Sequence, residues 1–105
     1  MIYNSNAAYW IFLQSVVGVG SRKLLPIIDK YGSARKFCES RYEDVKESGL
    51  LSLKELNKFK KLTIDDCREI MSECNKLGYQ IITPNDKQYP KRLAQIPNPP
   101  AVLYV

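Results

Sequence analysis

Start and stop signals for short helices follow one another closely from residue 7 to residue 78, and they constrain the fold more than any other feature. Each predicted helix after the first follows a serine or threonine, which caps helix starts, and several end at a glycine, which caps helix ends. These signals are Ser21, Ser33, Ser40, Ser52 and Thr63 for the starts, with Gly32, Gly49 and Gly78 for the stops. Because the apolar residues between them recur with the helical period, the sequence predicts five or six short helices.

For the first two of these helices, the sequence predicts further details. The first spans residues 7–15, and its predicted buried face comprises Ala8, Ile11, Phe12 and Ser15. The second contains Pro26 about one turn after its start, where the ring is expected to remove one backbone bond or to bend the helix.

Two serines have the S-x-x-E spacing of a capping box, in which the serine and the glutamate each accept a backbone N–H at the helix start. They are Ser40 with Glu43, and Ser52 with Glu55. A last helix is predicted to start at Thr63 and to end at Gly78. Its predicted buried face comprises Ile64, Cys67, Ile70, Met71, Cys74 and Leu77.

The pattern changes after Gly78, where two short apolar strands are predicted over residues 79–83 and 101–105. A turn, one or two helical turns and an extended proline-rich stretch connect them. We therefore place a domain boundary near Gly78, with a helical domain over 1–78 and the start of an α/β domain over 79–105. The two strands are expected to lack sheet neighbours, because the remainder of such a domain would follow residue 105. They are expected to add little stability and to fold back on the helices, pair with another copy or be mobile.

The charge of the chain is moderately basic, with a net charge of +5 and a pI near 9.2. This balance suits contact with a polyanion, although many soluble proteins are equally basic. The densest positive cluster comprises Lys54, Lys58, Lys60 and Lys61.

Enzyme chemistry has little support in the composition. The chain has no histidine, so neither a Ser–His nor a Cys–His nucleophile exists in it. Its three cysteines lack metal-ligand spacing, which predicts ordinary buried thiols in a reducing compartment. No apolar run is long enough to span a membrane. We therefore predict a cytoplasmic, non-enzymatic protein with no catalytic residues, no metal and no cofactor.

A glycine-containing turn between the first two predicted helices is the leading binding candidate. Residues 16–20 read VVGVG and resemble the turn of a helix-hairpin-helix motif. Such a turn aims backbone N–H groups at one phosphate, and the dipole of the following helix assists. The predicted phosphate-binding residues are Gly18, Gly20, Ser21, Arg22 and Lys23. The alternative is a plain tight turn between helices that binds no ligand.

A second candidate follows Gly49, which could form a weaker hairpin with the next helix. Lys54, Lys58 and Lys61 stand at i, i+4 and i+7 and so share one helical face. They are predicted as accessory DNA-binding residues. The alternative is an ordinary solvated helix face.

The C-terminal stretch contains three specific segments. They are GYQIIT at 78–83, DKQYP at 86–90 followed by Leu93 and Ile96, and PNPPAVLYV at 97–105. In this order they resemble the DNA-processing protein A family, also called DprA or Smf. Residues 9–10 (YW), 18–20 (GVG) and 31–33 (YGS) are consistent with it. The resemblance extends over the whole chain.

The resemblance implies a mainly α chain, in which a SAM-like or helix-hairpin-helix domain precedes the first strands of a truncated Rossmann-like domain. It implies a role in natural transformation (competence) and DNA recombination, in which single-stranded DNA is bound and RecA recombinase is loaded onto it. The main single-strand pocket, the RecA contact and a homodimer surface of the full-length family lie beyond residue 105. Only the hairpin remains as an accessory contact.

Two other interpretations stay open from the sequence. In the first, the chain is a SAM-like protein–protein interaction module that does not touch DNA, and its basic patches are incidental. In the second, it is an accessory domain of a small nuclease or ligase, which shares the hairpin but leaves the C-terminal strand segment unexplained. The steepness of a salt titration of DNA binding would separate the DNA-binding module from the protein-interaction module.

Overall fold

A computed structural model of the chain describes residues 7–19, 21–84, 86–96 and 98–105. Within them the fold is mainly α, as predicted. The helices are α1 (Ala7–Val17), α2 (Leu24–Tyr31), α3 (Ala34–Cys38), α4 (Tyr42–Glu47), α5 (Leu53–Lys61), α6 (Ile64–Lys76) and α7 (Lys91–Ala94). Two short strands, β1 (Ile81–Ile82) and β2 (Leu103–Tyr104), pair in antiparallel register.

Helix α1 lies at the centre of the molecule and packs against α2, α3, α5 and α6. It is apolar on most of its circumference, and a helix of that kind must be covered on most sides. Its buried residues are Ala7, Ala8, Trp10, Ile11, Phe12, Leu13 and Val16. The prediction that Ser15 belongs to the buried face is wrong, because Ser15 is exposed.

Aromatic side chains join α1 to α3 and α5 in the core. The ring of Phe37 is completely buried and lies edge-on to Phe12, Phe59 and Tyr31, with ring centroids 6.4, 5.2 and 5.4 Å away. Edge-to-face contacts at these distances add stability beyond the burial of apolar area. Phe37 is therefore the residue through which the four helices α1, α2, α3 and α5 share one core.

The predicted helix starts are confirmed at three of five positions. Ser33 caps α3, and complete capping boxes start α5 at Ser52 and α6 at Thr63. The capping box predicted at Ser40 is wrong. Helix α4 begins one residue later, after Arg41, and the Ser40 hydroxyl instead donates to the Lys36 carbonyl at 2.6 Å.

The proline of α2 causes no loss of helical bonding. The helix begins at Leu24 rather than near Ser21, so Pro26 is its third residue. Backbone N–H groups in the first turn have no partner within a helix, and the missing N–H of proline costs nothing there. The predicted loss of a bond at Pro26 is therefore wrong.

The strands are shorter than predicted, with two residues each in place of five. Gln80 and Val105 extend the pairing by exchanging two backbone hydrogen bonds, of 2.7 and 2.8 Å. Of the three outcomes predicted for residues 79–105, the structure has the first, in which the strands fold back on the helices. Ala101 and Val102 are buried in the same apolar cluster as α1.

The side chain of Gln14 on α1 forms hydrogen bonds with the backbone of this segment. The Gln14 Oε1 atom accepts hydrogen bonds from the backbone N–H groups of Ala101 and Val102, at 2.9 and 3.0 Å. One amide oxygen thereby satisfies two partly buried donors that a two-stranded sheet leaves unpaired. Gln14 thus fixes where β2 begins relative to α1.

Replacing Gln14 with alanine is expected to lower the free energy of unfolding by about 1–3 kcal/mol, because two backbone N–H groups lose their acceptor. Urea unfolding followed by circular dichroism measures the change. Gln14→Glu is the matched control, since it keeps an acceptor oxygen and should lose less. A Gln14→Ala protein as stable as the parent would show that water replaces the amide without cost.

The residues between the strands, which carry much of the family resemblance, have local structural roles. The Asp86 carboxylate accepts from the Thr83 N–H at 2.7 Å and from its hydroxyl at 3.1 Å, which closes the turn after β1. The Tyr89 hydroxyl donates to the Pro100 carbonyl at 2.6 Å. These bonds fix the turn after β1 and hold Tyr89 against Pro100, the residue before Ala101.

Candidate nucleic-acid interface

The predicted hairpin lies between the end of α1 and the start of α2. Gly18 has a φ of 92°, a left-handed conformation that favours glycine, and its N–H donates to the Gln14 carbonyl at 2.7 Å. That amide ends α1 and is not available to a phosphate. Gly20, the second predicted glycine, lies outside the described residues.

The remaining hairpin residues differ in how available they are. The Ser21 hydroxyl accepts from the Lys23 backbone N–H at 3.1 Å and so shapes the turn. Arg22 is exposed, and no carboxylate of the described residues lies within ion-pair distance of it. Arg22 is therefore an exposed cation of this hairpin without an ion pair among the described residues.

Lys23, by contrast, is already paired. Its ammonium group hydrogen-bonds the Glu55 carboxylate of α5 across 32 positions of sequence. The same carboxylate accepts from the Ser52 N–H at 2.7 Å and completes the capping box of α5. Burial acts to raise the pKa of Glu55, but the hydrogen bonds from Lys23 and Ser52 outweigh it and hold that pKa below its usual value.

The exposed face of α5 gathers three of the predicted residues. Lys54, Lys58 and Lys61 line one shallow depression of about 420 Å³, and Ser15 of α1 and Asn57 border it. We call it the lysine groove; Leu62 and Asp66 complete its lining. Within the described part of the chain, none of its three lysines lies within 4 Å of a carboxylate oxygen.

The fourth lysine of the sequence cluster belongs elsewhere. The Lys60 ammonium lies 5.5 Å from the ring centroid of Tyr42 on α4. A cation over an aromatic face is attracted by the ring and is partly engaged. The helical period therefore divides the cluster into three lysines that share the groove and one that does not.

The structure brings the two predicted sites together. The Lys23–Glu55 pair attaches the hairpin to the first turn of α5, beside Lys54. Sequence reasoning treated the hairpin and the α5 face as separate and missed Ser15 and Asn57. The signal for Ser15 was its polarity in a mostly apolar helix, and for Asn57 its position between two lysines of the same face.

Aromatic rings are not part of the lysine groove. Its lining has amine, amide and hydroxyl groups, the Asp66 carboxylate and the apolar side chain of Leu62, but no ring on which a base could stack. Tyr9 lies instead under Arg35, with 5.5 Å between the guanidinium carbon and the ring centroid. The groove is thus suited to phosphate oxygens, which ammonium groups contact without reading sequence.

The cysteines are free thiols, and Cys67 is completely buried, as predicted. The prediction of burial is wrong for Cys38 and Cys74, which are only partly buried. Burial raises the pKa of both Cys67 and Cys38 to about 11, so both thiols are protonated at neutral pH. Over the described ranges, no group of three or more histidine, cysteine or acidic side chains is arranged to hold a metal ion. None of the helices described is both long and apolar enough to cross a membrane.

Comparison with known proteins assigns no family to the chain. No protein-family model matches it, and neither a curated protein nor a solved structure matches it. The resemblance to the DNA-processing protein A family therefore stays a prediction that rests on the residues quoted above.

Proposed function

We propose that this chain is a non-enzymatic DNA-binding module that contacts backbone phosphates through the lysine groove and Arg22. The observation that carries the proposal is the convergence of Lys54, Lys58 and Lys61 on one depression with no carboxylate paired to them among the described residues. Neighbouring ammonium groups repel one another, and a polyanion relieves that repulsion.

The spacing of these lysines supports a phosphate backbone as the ligand. Seven residues of α-helix rise about 10 Å, which separates Lys54 from Lys61 along the axis of α5. Phosphates on one strand of B-form DNA recur about every 3.4 Å along the helix axis, so the groove spans about three of them. Asn57 and Ser15 add neutral hydrogen-bond donors within the same span.

The wider role that we propose follows the family resemblance. The chain would be the N-terminal part of a DNA-processing protein A, which binds single-stranded DNA in natural transformation and assists RecA loading. The groove would then be an accessory contact, and a dissociation constant of about 10⁻⁴–10⁻⁶ M is expected for this chain alone. Nanomolar binding to an oligonucleotide at physiological salt would contradict the accessory role.

Neutralising the lysine groove is expected to remove most DNA binding. In the triple variant Lys54→Gln, Lys58→Gln and Lys61→Gln, three phosphate contacts disappear together. The slope of log affinity against log salt should become shallower by about 2 for single-stranded DNA and by about 3 for duplex. Fluorescence anisotropy with a labelled oligonucleotide over a salt series measures both affinity and slope.

The matched control removes the same charge elsewhere. Lys30, Lys46 and Lys60 are exposed and lie outside the groove, so their triple replacement by glutamine should change the slope much less. If both triple variants lost the same DNA affinity and salt slope, net charge alone would explain the effect. The lysine groove would then not be the binding site. Arg22→Gln reports on the hairpin alone, whereas a change at Lys23 would also break its bond to Glu55.

The alternative is a SAM-like protein-interaction module without direct DNA contact. Its supporting observation is an apolar face of α6 that the fold leaves exposed, with Leu77 at 71% exposure. The salt series separates the two functions, since a protein-docking module has no phosphate contacts and no steep slope.

A further inference from the structure

The outer face of α6 forms, with the strand pair, a groove that the fold leaves open. Its apolar lining comprises Ile70, Cys74, Leu77, Tyr79 and Tyr104, and its volume is about 500 Å³. The sequence predicts that Ile70 and Leu77 are buried, but they are 37% and 71% exposed, so that prediction is wrong. Tyr79 and Tyr104 are about half exposed beside them. We call this surface the α6 groove.

Acidic side chains border the α6 groove along one helix. Asp66, Glu69 and Glu73 complete its lining. Glu73 pairs with Lys76 at 3.7 Å. The Asp66 carboxylate accepts from the Thr63 N–H in the capping box of α6. No cation of the described residues lies within ion-pair distance of Glu69. An apolar floor with an acidic edge is therefore present on a chain whose net charge is +5.

The charge of this edge restricts what can cover the floor. A second copy that docked symmetrically through the same groove would bring two acidic edges together, and like charges in contact are unfavourable. Nucleic acid is repelled for the same reason. The complementary occupant presents apolar side chains to the floor and cationic side chains to the edge.

The shape of the groove indicates a helical occupant. Its lining follows α6 from Asp66 to Leu77, a length of about 16 Å, which is three helical turns. An amphipathic helix fits such a surface by placing apolar residues at i, i+3, i+4 and i+7 on the floor. We propose that the α6 groove docks a basic amphipathic helix of a partner protein.

This proposal does not rest on DNA binding, although the two surfaces are neighbours. Asp66 borders both the α6 groove and the lysine groove. A basic helix docked on α6 would therefore add its cations next to Lys54, Lys58 and Lys61. The docked partner would extend the positive surface of the lysine groove.

The test uses two synthetic peptides of about 14 residues, a length at which amphipathic sequences begin to form helices. Both place leucines at i, i+3, i+4 and i+7; one has lysines at all other positions, and the other has glutamates. Titration into the ¹⁵N-labelled 105-residue chain should shift the amide signals of Ile70, Cys74 and Leu77 with the lysine peptide only. The bound peptide should gain helical circular dichroism.

Reversing the charge of the edge provides the decisive variant. Glu69 and Glu73 are exposed, so Glu69→Lys with Glu73→Lys should fold normally. This double variant should bind the lysine peptide about tenfold more weakly or worse, a change of one decade in Kd. It should bind the glutamate peptide more tightly than the parent does. Leu77→Ser should weaken binding as well. Glu43→Lys with Glu47→Lys, on α4, makes the same charge change outside the groove and should leave binding unchanged.

Four results would overturn the proposal. They are equal binding of the two peptides, equal effects of the α6 and α4 variants, a bound peptide with strand rather than helical dichroism, and sedimentation of the free chain as a dimer that Leu77→Ser dissociates. A strand-like signal would assign the surface to addition of an extended segment beside β2. Loss of DNA binding in the lysine-groove variant would have no bearing on these results.

Discussion

Truncation of the chain after Gly78 is expected to destabilise the helices by about 3–6 kcal/mol, because the removed segment buries apolar area against α1 and satisfies Gln14. Ala101 and Val102 are 2% and 4% exposed and belong to the cluster that includes the aromatic core. Without Ala101 and Val102, apolar side chains of the same cluster become exposed to water. The free energy of unfolding of a domain is about 5–15 kcal/mol in total, so a substantial part of the stability would be lost.

Thermal unfolding of the two chains measures the effect. The expected decrease in Tm is more than about 10 °C, since 1 kcal/mol corresponds to about 4–8 °C in a chain this short. Val102→Ala in the full chain is the graded control and should lose a smaller part of the same stability. If residues 1–78 unfolded as cooperatively and at the same temperature as 1–105, the helical part would be an independent domain, as the sequence predicts.

Replacement of Phe37 by alanine is expected to lower the free energy of unfolding by about 3–5 kcal/mol, the usual cost of removing a buried phenylalanine ring. The ring is completely buried and contacts Phe12, Phe59 and Tyr31 edge-on. A cavity at this point separates side chains of α1, α2, α3 and α5. Chemical denaturation, followed by the fluorescence of Trp10 on α1, measures the change.

Two controls give this prediction its specificity. Phe37→Leu keeps most of the volume and should lose clearly less stability than alanine. Leu53→Ala removes a side chain that is 72% exposed and should change stability by no more than about 0.5 kcal/mol. A Phe37→Ala protein as stable as the parent would mean that α3 is not part of the cooperative core.

The two proposed surfaces differ in charge and in chemistry. The lysine groove is polar and cationic, and it suits phosphates, whereas the α6 groove is apolar with an acidic edge and suits a cationic helix. They meet at Asp66, which completes the capping box of α6. DNA and a basic partner could therefore bind side by side, with the partner's cations next to the phosphate backbone.

Local signals predicted the helices well because helix caps act over three residues. The capping box at Ser52 needs only Glu55, and that at Thr63 needs only Asp66, so no distant contact decides either of them. Ser40 has the same spacing but fails, because α3 ends just before it and its hydroxyl bonds the Lys36 carbonyl of that helix. A local pattern is thus reliable until a neighbouring element competes for the same group.

Apolar periodicity identified which face of α6 is hydrophobic but not how far it is covered. Cys67 and Met71 are buried under α1, whereas Ile70 and Leu77 lie on the same stripe and remain exposed. Periodicity reports the direction of side chains, and coverage depends on where the other helices and the strand pair end.

By itself, the sequence determined the mainly helical content, three of the five predicted helix starts, the left-handed glycines and the shared face of Lys54, Lys58 and Lys61. Each of these depends on contacts within about one or two helical turns. Only the tertiary structure decided that Lys23 pairs with Glu55, that Gln14 accepts a hydrogen bond from the Ala101 N–H, and that the α6 groove stays open. These features join residues as far as 88 positions apart, and their geometry follows from how α1 packs in the core, which no local pattern contains.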